Sequence, residues 1–140
     1  MNDDLRIALE LADLADAITL RHFQTAFAVR MKQDRTPVSV IDEEVERAIR
    51  ERLQRERADD AIVGEEFGTD GRNAARRWVI DTIDATSNYI RGNPVFATLI
   101  ALDGSVGVVS APALGRRWSA ARGEERSATD GRSACRIRQM

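Results

Sequence analysis

A chain of 140 residues, 43% hydrophobic and 31% charged, is long enough for one packed domain and too apolar to be disordered. A formal net charge of -2 leaves no nucleic-acid footprint, and no apolar run is long enough to span a bilayer. Cys135 is the only cysteine, which excludes a disulfide framework, and the charged N-terminus lacks a signal-peptide pattern, so a cytoplasmic protein is expected.

Residues 3–25 read as a helix, because Ile7, Leu11, Leu14 and Ile18 recur on one face and Leu5, Leu9 and Leu20 widen it. Asn2 or Asp3 can cap its start, and His22 near its end suits a helix C-terminus better than a ligand role. Residues 27–32 alternate apolar and basic, as in a half-buried strand, and 33–37 form a polar turn. Ser39 caps a second helix, with Asp42 three residues on as a variant capping box. Its apolar stripe is Ile41, Val45, Ala48, Ile49 and Leu53, and residues 58–60 close it. The opposite face, with Glu46/Arg50 and Glu51/Arg55 at i,i+4, reads as solvated.

Residues 61–64 form a short buried strand that runs into Glu65-Glu66, followed by a polar loop over 67–77. Residues 78–83 form the next strand, and 86–90 one or two helical turns stopped by Gly92-Asn93-Pro94. Strands 95–102 and 106–111 are joined by a hairpin turn at Asp103-Gly104. A turn at 112–115 leads to a strand at 117–121, and from Gly123 onward the chain is polar and poorly patterned. This order predicts an α+β fold, with two helices packed on one face of a mostly antiparallel sheet.

The chemistry gathers at two strand ends. Asp81 and Asp84 lie three apart, so on a continuous strand they face opposite ways. A turn beginning at Thr82 or Ile83 would bring them together and aim the Ile83 carbonyl into the same space. Glu65 joins them only if strand 61–64 lies beside strand 78–83. Three carboxylates and a carbonyl make a hard oxygen site suited to Mg²⁺ or Mn²⁺. The amides of Ala85, Thr86 and Ser87 at a helix start suit a phosphate, and Thr86 can orient a water with Asp42 as its partner. Plainer readings stand beside these: Asp42 as a cap only, and Asp84 as the cap of the short helix in an ordinary acidic loop.

Gly64-Glu65-Glu66, WVIDTIDATSNYIRG at 78–92, FATLIAL at 96–102 and TPVSVIDEEVERAIRERL at 36–53 resemble the inositol monophosphatase superfamily. Its usual motif at the second of these is W-[VI]-[IV]-D-P-[IL]-D-G-T. VGVVSAPALGRRWSAARGE at 106–124 is similar to the histidinol-phosphatase branch, which typically has Trp-Trp where this chain has Trp118-Ser119. The resemblance implies a single domain over 1–140, the N-terminal half of a layered α/β/α/β/α sugar-phosphatase fold. It implies a Mg²⁺-dependent phosphomonoesterase acting on a small phosphorylated metabolite, histidinol phosphate first and inositol 1-phosphate second, and working as a dimer. It implies Glu65 and the Ile83 carbonyl on a first metal, Asp81 bridging, Asp84 on a second metal, the Ala85 and Thr86 amides on phosphate, and Thr86 with Asp42 on the attacking water.

The chain departs from the pattern at three positions of that motif. Thr82 stands for the family proline, Ala85 for a glycine and Ser87 for a threonine or lysine. Losing proline loosens the turn, and alanine is strained there if its φ is positive. The family's second half, expected to supply another aspartate and most substrate-choosing residues, lies beyond the resembling part. Without it the alternative is a truncated or degenerate relative that acts by association through a bare sheet edge and face.

Overall fold

The computed structural model describes residues 2–71, 73–124, 126–129 and the backbone of 134–136. Helix α1 (Asp3–His22) starts as its sequence dictates, with the Asn2 side chain accepting from the amides of Asp4 and Leu5. It ends three residues earlier than expected, where Phe23 turns extended to join an aromatic cluster with Tyr89 and Phe96. Leu20 is exposed, so the apolar stripe is narrower at that end.

Strands β1 (Val29–Met31) and β2 (Pro37–Ser39) pair with each other in a hairpin apart from the main sheet. β1 is exposed along its length rather than half-buried, because among the described residues β2 is its only strand partner. The expected turn is confined to residues before Pro37, and 37–39 is extended, with Val38 and Ser39 buried.

Helix α2 (Val40–Glu56) carries the expected capping box: Ser39 Oγ accepts from the Asp42 amide at 3.2 Å, and Asp42 Oδ2 accepts from the Ser39 amide at 2.7 Å. Ile41, Val45, Ile49 and Leu53 enter the core. The helix stops at Glu56 rather than at 58–60, with the Arg57 amide bonded to the Leu53 carbonyl. The solvated face expected for this helix holds for Glu51 and Arg55 but not for Glu46 and Arg50, whose residues are 0% and 9% exposed. Position around the helix decides this: the five-residue step turns the second pair by about 140°, so Glu46 and Arg50 lie over the turn between two strands while Glu51 and Arg55 face outward.

Among the described residues eight strands build the main sheet. They are β3 (Ala61–Gly64), β4 (Gly68–Asp70), β5 (Arg77–Asp84), β6 (Ala97–Leu102), β7 (Val106–Ala111), β8 (Arg116–Ala121), β9 (Ser127–Thr129) and β10 (Ala134–Arg136). Their order is β10-β9-β8-β7-β6-β5-β3-β4, antiparallel except for the β3/β5 pair. β4 forms inside the stretch expected as a loop, and β9 and β10 lie in the stretch expected to be unpatterned. Three-residue strands carry too little alternation to register in sequence; pairing to a longer neighbour makes them.

Trp78, Ile80, Ile100, Leu102 and Val108 turn toward α1 and α2 and form the core. On the opposite face Asp81, Leu99, Val109 and Trp118 stand in one cross-strand row, with Val79 beside them 40% exposed. The architecture is the α+β arrangement expected, helices on one face of a mostly antiparallel sheet. Among the described residues no helix is long and apolar enough to cross a membrane.

Candidate functional site

Parallel pairing of β3 with β5 puts Gly64 opposite Ile80, so the Glu65 turn and the end of β5 emerge side by side. Between Asp81 and Asp84 three residue steps on β5 run against two on β6. This bulge inserts one residue and breaks the strict alternation that would send the two aspartates to opposite faces. Asp81, Asp84 and Glu65 line one cavity of about 250 Å³, together with Ile83, Ala85 and Thr86. All the residues expected to hold metal or phosphate therefore share a single space.

After the bulge comes a short helix, α3 (Thr86–Ile90), whose first residue follows Ala85 at φ 67 and ψ 53. Alanine thus sits in the left-handed region, where its Cβ is strained. Among the described residues no side chain caps this helix, and its N-cap is Ala85 rather than Asp84. The Tyr89 hydroxyl anchors it by donating to the Thr19 carbonyl of α1 at 2.9 Å, with the ring packed on Phe27 and Phe96. Thr82, in place of the proline, has a buried hydroxyl with no hydrogen-bond partner among the described residues, while its carbonyl accepts from Thr98 Oγ1 at 2.7 Å.

Asp42 caps α2 and also reaches Thr86. Oδ2 is occupied by the Ser39 amide and hydroxyl, and Oδ1 lies 3.3 Å from Thr86 Oγ1. The Thr86 hydroxyl also lies 3.0 Å from the Ile83 carbonyl, so its single proton is shared between two acceptors. Burial raises the Asp42 carboxyl above the ordinary aspartate value despite the hydrogen bonds from Ser39.

Lys32 and Glu46, neither expected in the site, shape it together with Glu66 of the acidic pair at the end of β3. Lys32 reaches in from the β1–β2 hairpin, its Nζ 3.3 Å from Glu66 and 3.7 Å from Glu65. Burial opposes its charge, but Glu66 and Glu65 outweigh burial and hold the proton more firmly than usual. Glu66 is itself pushed up by burial against the pull of Lys32. Glu46 accepts from the amides of Glu66 at 2.9 Å and Phe67 at 2.8 Å. The available signal for Glu46 was its i+4 spacing from Asp42, which stacks both acids on one helix face.

Burial first, then the charges of Glu65 and Asp84, push the Asp81 carboxyl up to about 6. Oxygen donors crowded enough to raise the proton affinity of Asp81 suit a hard cation, whose charge would relieve that repulsion. Among the described residues no three His, Cys, Asp or Glu side chains stand close enough to enclose one ion. The donors surround the cavity, with Glu65 inclined toward Lys32, rather than forming a closed cage.

The inositol monophosphatase family matches residues 1–138. A histidinol-phosphatase of Streptomyces coelicolor is 53% identical over 94% of this chain and 52% of its own length, and one of Mycobacterium tuberculosis is 51% identical over 87% and 49%. A solved IMPase of Thermotoga maritima superposes with a TM-score of 0.82 at 29% identity, over 89% of this chain and 50% of that one. The chain spans about half the length of the curated relatives it matches. With the strand-end acids, the bulge and the family match in agreement, the chain belongs to the inositol monophosphatase family.

Proposed function

We propose that this chain carries the metal and phosphate side of a Mg²⁺-dependent phosphomonoester hydrolase, with histidinol phosphate as substrate and inositol 1-phosphate as the alternative. The carrying observation is that the Glu65 turn and the Asp81–Thr86 turn open onto one cavity with Asp42 behind Thr86. The two histidinol-phosphatase relatives support the choice of substrate, and the family is generally metal-dependent. The same reading takes residues 1–140 as one domain of a cytoplasmic dimer.

Glu65, Asp81, Asp84 and the Ile83 carbonyl would hold Mg²⁺. Bound there, the cation supplies positive charge to phosphate oxygens and lowers the pKa of water. The Ala85 and Thr86 amides precede the first intrahelical bonds of α3 and would donate to the phosphate. The Thr86 hydroxyl would orient the attacking water. Asp42, fixed by Ser39 through one oxygen, holds that hydroxyl through the other, and its raised pKa makes it a better proton acceptor than a free aspartate.

A second reading, association with little turnover, is favoured by the exposed Val79 and Trp118 on the face away from the helices. Phosphate release from both substrates, with and without Mg²⁺, decides between them. Mg²⁺-dependent release that disappears in Asp84→Asn is the expected result. A folded chain that releases phosphate from neither substrate ends the hydrolase reading for it, and a sedimentation profile that stays monomeric ends the association reading.

A further inference from the structure

The Glu65 turn is gripped from beneath by an ion pair that does not line the cavity. Glu46 Oε2 accepts from Arg50 Nε at 3.0 Å and from the Phe67 amide at 2.8 Å, and Oε1 accepts from the Glu66 amide at 2.9 Å. Arg50 donates its remaining arm to the Gly68 carbonyl. Backbone groups of three successive residues, 66 to 68, are thereby tied to α2. The Glu46 side chain is 0% exposed and that of Arg50 is 11% exposed, whereas that of Glu65 is 59% exposed. Gly64 completes the fit, because a Cβ there would stand 2.4 Å from Glu46 Cδ.

An ion pair taken out of water is a poor source of stability, since desolvation offsets its attraction. What this one does achieve is orientation: both Glu46 oxygens accept from fixed donors, so the carboxylate is held in one position and the turn above it with it. We infer that Glu46 and Arg50 are positioning residues for cation binding, fixing the 65–67 turn so that the Glu65 carboxylate is presented to the cavity. This rests on the proposed role of Glu65 as a metal ligand.

The test measures Mg²⁺ affinity by calorimetry, and Mn²⁺ affinity by its electron-spin signal, on the folded 140-residue chain. Variants are Glu65→Gln, Glu46→Gln, Arg50→Lys and the Glu46→Gln/Glu65→Gln double. Glu46→Gln keeps the shape but leaves one acceptor oxygen in place of two, so the amides of Glu66 and Phe67 no longer both have an acceptor. The expected result is roughly a 10-fold loss of affinity in Glu46→Gln, a smaller loss in Arg50→Lys, and no further loss when Glu46→Gln is added to Glu65→Gln. If Glu46→Gln does not fold, Arg50→Lys decides by the same comparison. Affinity lost in Glu65→Gln but kept in the folded clamp variants overturns the inference alone. A chain that binds neither ion, or binds as well in Glu65→Gln, overturns the metal reading of Glu65 and the inference with it. A fall in melting temperature with unchanged affinity marks the clamp as merely structural and counts against it.

Discussion

The two turns that deliver the acidic groups lie side by side yet are held by opposite means. The turn at 64–67 is held by side chains: Glu46 and Arg50 reach up from α2 to its backbone. The turn at 83–86 is held by the backbone itself, through the bulge in β5, the left-handed Ala85 and the Thr86 hydroxyl near the Ile83 carbonyl. A side-chain clamp needs room for its charged groups and tolerates no added atom. A backbone turn concentrates its difficulty in one conformationally costly residue, and it relaxes when that residue loses its side chain.

Gly64→Ala tests the first half of this contrast and should have the largest effect. Its Cβ would meet Glu46 Oε1 at 2.4 Å and Oε2 at 2.8 Å. The carboxylate cannot retreat without releasing two amides and Arg50 inside a buried site. A loss of roughly 2–4 kcal/mol is expected from overpacking plus a disturbed buried pair, read by urea unfolding. A Gly64→Ala chain as stable as the parent would mean that the clamp has slack.

Asp81, at the start of the second turn, gives an intermediate effect that depends on pH. Its carboxyl sits near 6 in the folded chain, pushed up by burial and then by Glu65 and Asp84, against an ordinary value of 3.8. Between these values the folded state keeps a proton that the unfolded state has released. Stability of the metal-free chain therefore falls as pH rises across that window. Asp81→Asn removes the slope. Unfolding at pH 7 should show the variant more stable by about 1 kcal/mol, with solvent screening of this half-buried group already allowed for, and the advantage should vanish below pH 4. A gain that persists undiminished at low pH would point to packing rather than charge.

The contrast between the turns also explains what was legible in the sequence. The second turn was visible because its parts are adjacent: Asp81, Ile83, Asp84, Ala85 and Thr86 are one continuous stretch. The odd spacing of the aspartates pointed to a turn beginning at Thr82 or Ile83, whereas the strand runs on to Asp84 and a bulge brings the two together. The capping box at Ser39 and Asp42 was equally local, although its further contact with Thr86 spans 44 residues of chain. The first turn depends on contacts between segments about 20 residues apart, and there charge spacing misleads. Glu46/Arg50 and Glu51/Arg55 have identical spacing on one helix, and only the first pair is buried. Lys32 stayed hidden for the same reason, because the β1–β2 hairpin that carries it was read as a half-buried strand and a turn.

Ala85→Gly carries the smallest change and probes the backbone-held turn. At φ 67 the alanine Cβ crowds its own carbonyl, a penalty on the order of 1–2 kcal/mol. Glycine removes that crowding but gains freedom in the unfolded chain, which returns roughly 0.5–1 kcal/mol. The net expectation is a stabilisation of about 0.5–1 kcal/mol, seen as a rise of roughly 2–4 °C in the melting temperature of the metal-free chain. Helix α3 keeps its anchor in the variant, since the Tyr89 hydroxyl is fixed to α1 and its ring packs on Phe27. An unchanged or lowered melting temperature would show that Ala85 is held by something other than local backbone geometry, and the distinction between a clamped turn and a strained one would then fail at its second member.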